Sequence, residues 1–204
     1  MNKATIIFTG LLGLVLAGSS LAQGNATAGE SKSALCASCH GPGGQGQSQM
    51  PETPKLAGQN ANYLIKQLSD FKSGARSDIT MTAMAAGLSE QDMLDIAAYY
   101  AAQSVSVEGA DPGSVEIAEV LYRAGNQDIS VAACTACHSP TGHGNAPAGF
   151  PVLSGQLPQY TLKQLKAFRA GERGNDANAV MRTVVERLTD KELEALASYV
   201  SGLH

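Results

Sequence analysis

Apolar positions recur along this chain with a helical period and in matched blocks. Asn60 is a residue suited to capping, and after it Tyr63, Leu64, Leu68 and Phe71 share one helical face until Gly74 ends the run. A second series starts at Ser89 and passes through Met93, Ile96, Ala97 and Tyr100, which predicts another helix. Near the C terminus Thr189 followed by Glu192 makes a capping box at the head of a corresponding helix. A further helix is expected to lead into each cysteine-containing block. No convincing run alternates apolar and polar residues, so the predicted fold class is all-α. Between the first and second helices lie Gly- and Pro-rich stretches, and such long loops in a small unit are expected to wrap something.

The start of the chain follows a different pattern. Lys3 precedes the apolar run Ile6–Ala17, which is too short to span a bilayer. Ser20 and Ala22 then place small residues where a signal peptidase would cut, before Gln23. Residues 1–22 are therefore expected to be a cleaved export signal, and the mature protein is expected to be exported.

The rest of the chain contains itself twice. Cys36-Ala37-Ser38-Cys39-His40 is answered 98 residues later by Cys134-Thr135-Ala136-Cys137-His138. Leu56-Ala57-Gly58-Gln59 is answered by Leu153-Ser154-Gly155-Gln156. Tyr63, Lys66-Gln67-Leu68, Phe71, Gly74 and Arg76 pair in order with Tyr160, Lys163-Gln164-Leu165, Phe168, Gly171 and Arg173. Matches so numerous and so ordered mean two copies of one unit. The expected division is an N-terminal unit at residues 23–103, a linker at 104–114 and a C-terminal unit at 115–204. Gly109, Asp111, Pro112 and Gly113 give the linker its turn-forming character.

Composition sharpens this picture in two ways. Aromatic residues make up only 5% of the chain and Trp is absent, so a core of this size is short of rings. Either Ala, Leu and Val build it, or something other than protein fills it. The net charge of −4 lacks the basic excess of a nucleic-acid binder.

Candidate chemistry resides in the cysteines. Cys-x-x-Cys-His is the attachment motif for a c-type haem: two thiols on one helical turn meet the two vinyl groups, and the adjacent His sits beneath the iron. A zinc site needs four ligands close together, and one unit offers three. A redox dithiol belongs in a strand-helix-strand context, which is missing. Two copies in an exported chain favour haem over both, and a haem in each unit answers the shortage of rings and the long loops together. Cys36, Cys39, Cys134 and Cys137 are the expected attachment residues, and His40 and His138 the expected axial ligands.

A sixth ligand must come from elsewhere, and Met is usual in electron carriers. Met81 lies seven residues before Leu88, and Met181 seven before Leu188. Met84 corresponds to Val184 and Met93 to Leu193, and Met50 has no counterpart. Met81 and Met181 are thus the matched pair, with Met84 the nearest rival to Met81. His143 and His204 lack matches and are expected at the surface. Pro54 and Pro151 either bend their loops or offer a carbonyl to the axial His ring.

With these residues in place, the chain resembles the dihaem cytochrome c4 family over its whole mature length. The resemblance rests on both cysteine motifs, the paired Pro-x-Leu-x-Gly-Gln segments, the paired Lys-Gln-Leu helices and the late Met of each unit. It implies two class I cytochrome c domains about a pseudo-twofold axis, two covalent haem c groups, and the axial pairs His40 with Met81 and His138 with Met181. It also implies a periplasmic electron carrier, not an enzyme, loosely membrane-associated in some members. Its expected partners are a respiratory donor complex and a terminal oxidase, met through transient contacts. The alternative is a cytochrome subunit that accepts electrons from a flavin dehydrogenase.

Overall fold

Two sets of five α-helices follow one another in the computed structural model, which describes residues 24–204. The expected export signal at residues 1–22 lies outside the described residues. The first set is α1 (Ala26–Lys32), α2 (Ala37–His40), α3 (Ala61–Ser73), α4 (Ile79–Ala86) and α5 (Glu90–Ala101). The second is α6 (Pro112–Ala124), α7 (Thr135–His138), α8 (Pro158–Arg169), α9 (Val180–Val185) and α10 (Asp190–Ser201). Among the described residues there is no strand, only the isolated bridges Asn126–Val131 and Asn145–Phe150. The fold is all-α, as the apolar pattern predicts.

Local chemistry sets the helix ends. Gly74 closes α3 in the left-handed conformation, at φ 81°, where a side chain would be strained. Ser89 and Asp92 form a capping box on α5, and Thr189 and Glu192 form its counterpart on α10. Asn60 stands at the head of α3 but does not cap it. Its amide instead donates to Phe150 O of the second unit at 2.8 Å. Residues 102–111 carry no helix, and α6 begins at Pro112, so the last three residues of the expected linker form its first turn. Pro suits that place because the first helical N–H has no intrahelical partner.

The expected loop in front of the last helix of each unit is partly helical. It holds α4 in the first unit and α9 in the second. Asp78 nucleates α4 by accepting the Met81 N–H at 2.9 Å. Before α9, Asn178 and Ala179 both take left-handed conformations and the Asp176 carboxylate accepts the Arg182 N–H at 3.0 Å.

Within each unit the first and last long helices cross, and the middle one lies across the last. In the first unit α1 rests on α5 at Gly29, where a Cβ would stand 2.0 Å from Asp95 O. Leu64, Ile96, Ala97 and Tyr100 form its small buried cluster. The second unit has a larger core, with Leu121, Tyr122, Val185, Leu193, Leu196 and Tyr199 among thirteen buried residues.

The units meet through crossed polar contacts that run in both directions. Gln59 donates to Val152 O at 3.0 Å and accepts the Val152 N–H at 2.8 Å. Gln156 treats the Lys55 backbone in the same way, at 3.0 and 2.8 Å. Arg76 reaches across to Tyr160 and Gln164, and Arg173 reaches back to Tyr63 and Gln67. Each guanidinium also stacks on the Phe of its own unit, Arg76 on Phe71 and Arg173 on Phe168. This reciprocity is the signature of a pseudo-twofold axis between two copies.

Candidate cofactor sites

Each Cys-x-x-Cys-His motif folds as one helical turn. Cys36 and Cys134 have helical backbones, and their carbonyls accept the N–H of His40 and His138, both at 2.9 Å. All four cysteines are half-buried, and none is joined to another in a disulfide. Burial pushes the Cys36 thiol up and the Cys134 thiol up to about 11.

The turn then has to reverse, and the chain does so with a positive φ. Gly41 sits at φ 77°, and its Cβ would stand 2.2 Å from Gly46 O. Ser139 occupies the same place at φ 66°. The loop closes when Gly46 N–H donates to His40 O at 2.7 Å, and Gly144 N–H to His138 O at 2.9 Å. Gly44 O accepts from Leu56 and Ala57, and Gly142 O from Leu153 and Ser154. These bonds carry the Pro-x-Leu segment back to the histidine.

The result is a buttressed imidazole in each unit. His40 is 5% exposed, and its Nδ1–H donates to Pro54 O at 2.8 Å. His138 is 6% exposed, and its Nδ1–H donates to Pro151 O at 3.0 Å. Both prolines therefore act through their carbonyls, the second of the two roles the sequence allows. Burial holds both rings below the usual imidazole range, against the opposing pull of the proline carbonyl. A neutral ring with Nδ1 engaged presents Nε2 as its free lone pair, the form that ligates a metal.

Met81 and Met181 lie at matching places, both in the first turn of the short helix that precedes the capped one. Both are partly buried, and Met181 packs against the second unit's core. Met84 is one turn further along α4, and its counterpart Val184 packs into the second core. Met93 is buried in α5, and Met50 is exposed. His143 and His204 are exposed, as expected.

The donor set fits haem c. One turn offers two thiols and a buried neutral imidazole, while no group of three or more His, Cys, Asp or Glu among the described residues can hold a metal by itself. No zinc-binding cluster stands among them, and a haem would be held by the two cysteines and the histidine of each turn.

Known proteins carry the same arrangement. The family described as Cytochrome c matches the chain twice, over residues 26–102 and 123–204. Cytochrome c4 of Azotobacter vinelandii is 46% identical over 214 aligned positions that span all of both chains. The chain belongs to the cytochrome c4 family. The crystal structure of reduced recombinant cytochrome c4 from Pseudomonas stutzeri superposes with a TM-score of 0.85 at 47% identity, covering 89% of this chain and all of that one. A protein named thiosulfate dehydrogenase electron acceptor, from Stutzerimonas stutzeri, is 37% identical over 82% of this chain and 78% of its own length. As in its cytochrome c4 relatives, the two units are class I cytochrome c domains. The protein is a dihaem electron carrier with one covalent haem c in each unit.

Sequence reasoning passed over the residues between the two sites. Gln59, Gln156, Arg76 and Arg173 stood out only as repeat matches. Their signal was available: a polar residue kept in both copies, outside the cysteine motif, marks a contact that both copies make.

Proposed function

We propose that Cys36 and Cys39 bind one haem and Cys134 and Cys137 the other, with His40 and Met81, and His138 and Met181, as axial pairs. The observation that supports this most is the buttressed neutral imidazole beside each thiol pair, with a Met at the same place in both units. Haem supplies a one-electron couple between Fe(III) and Fe(II). The chain's residues do the rest. The cysteines would fix the ring, the proline carbonyls hold each His neutral and oriented, and a thioether ligand would favour the reduced state. Held by both a His and a Met, the iron would have no place for a substrate.

The expected setting is the periplasm, reached through the export signal at residues 1–22, with units 23–103 and 115–204 joined by 104–114. Among the described residues no helix is long and apolar enough to cross a membrane. Electrons pass from a respiratory donor complex toward a terminal oxidase, through small wet interfaces of below about 1,200 Å². A second reading is an acceptor subunit for a dehydrogenase, flavin-dependent or otherwise, favoured by the likeness to a thiosulfate dehydrogenase electron acceptor. A redox titration of the exported protein, followed by its optical spectrum, tests the first assignment. It should count two covalent haems, both six-coordinate and both carrying the near-red sulfur-to-iron band when oxidised. Copurification with a dehydrogenase subunit would instead establish the second reading.

A further inference from the structure

Lys55 breaks the twofold symmetry. It follows Pro54, the residue whose carbonyl holds His40, and the matching residue after Pro151 is Val152. Its side chain is 2% exposed, which is unusual for a cation. The ammonium donates to Ser106 O at 2.8 Å and Ser106 Oγ at 3.3 Å, and it lies 3.1 Å from Glu108 Oε1. Glu108 itself is 62% exposed, so its charge is largely screened by solvent while that of Lys55 is not. The Lys55 stem passes Gly46, where a Cβ would stand 3.1 Å from its Cγ, and Gly46 N–H closes the loop onto His40 O. Gln156 of the second unit grips the Lys55 backbone at both N–H and C=O. The buried charge is thus fixed to the loop that carries the first unit's histidine, and an apolar Val fills the equivalent place in the second.

Resting on the assignment of His40 as an axial ligand, we infer that the Lys55 ammonium raises the reduction potential of the first haem. Reduction removes one positive charge from the iron. A fixed cation in a poorly solvated place therefore stabilises the reduced state over the oxidised one. Val152 does nothing of the kind for the second haem.

The test is a spectroelectrochemical titration of the full dihaem protein and four variants, one of which, Met81→Ala, assigns each step to its unit by the loss of one methionine signal. Lys55→Met keeps the length and removes the charge. It should lower the first haem's electron affinity by roughly three- to tenfold and leave the second's unchanged. Lys55→Arg should restore the first haem's value, which a purely structural role would not require. Glu108→Gln, at an exposed site, should shift the first haem in the opposite sense. Unchanged potentials in Lys55→Met, equal shifts in both haems, or a Glu108→Gln shift in the same direction as Lys55→Met would overturn the inference. Haem count and the near-red band, read on the same samples, test the ligand assignment separately.

Discussion

Met81 and Met84 differ by three positions, and only one of them can face His40 across a haem. Matching the two copies by count picks Met81, and the Asp78 carboxylate then fixes Met81 in the first turn of α4 by accepting its N–H. Replacing Met81 by Ala should open one iron, lower that haem's potential and let it bind carbon monoxide. Replacing Met84 by Leu conserves volume and should cost under about 1.5 kcal/mol, with ligation intact. The near-red band of the oxidised protein reads the outcome: it should halve in the Met81 variant and stay whole in the Met84 variant. The repeat makes Met81 a candidate in the sequence, because it supplies a second copy to compare. Lys55 was not legible there, because a lone Lys in a loop reads as solvated until the chain at Ser106 and Glu108 is seen to fold over it.

Among the elements, the crossing of α1 with α5 depends on one carboxylate. Asp95 accepts the Asn25 N–H at 2.8 Å, the Lys32 ammonium at 2.6 Å and the Gln91 amide at 2.8 Å. The Asn25 backbone N–H, then Lys32, then Gln91 hold its pKa down to about 2. Lys32 and Ser89 likewise hold Asp92 below the usual carboxylate range. An unfolded Asp titrates near 3.9. A depressed carboxylate contributes stability that is complete above that value and is lost as pH falls through its folded pKa. The first unit should therefore loosen between about pH 4 and pH 2, and Asp95→Asn should be less stable at neutral pH while losing less on acidification. Thermal melts across that range, followed by circular dichroism, check it. The long helices were legible through their caps and apolar faces. The helices α4 and α9 were not, since their six to eight residues are too few for a period to show and their starts depend on Asp78 and on Asn178 and Ala179.

For the whole molecule, two units could be read from the sequence but their mutual placement could not. Gln59 and Val152 are 93 positions apart, and nothing local joins them. Removing either crossing amide leaves a buried N–H and C=O without partners, a cost of about 1–3 kcal/mol for each group. Gln59→Ala and Gln156→Ala should each lower the denaturant midpoint, and together they should expose residues 102–111 to protease. Protease-resistant double variants would show that the remaining contacts suffice. The crossing has one more consequence. Each half holds both pieces of it, the reaching amide and the backbone that receives the other half's amide: Gln59 with Lys55, and Gln156 with Val152. A half produced alone therefore retains a self-complementary face, and a second identical half can fill it. Sedimentation of the isolated C-terminal half, which has the larger core, should show a concentration-dependent homodimer, dissolved by Gln156→Ala: the covalent tandem would then be a dimer whose two subunits were joined and afterwards allowed to differ.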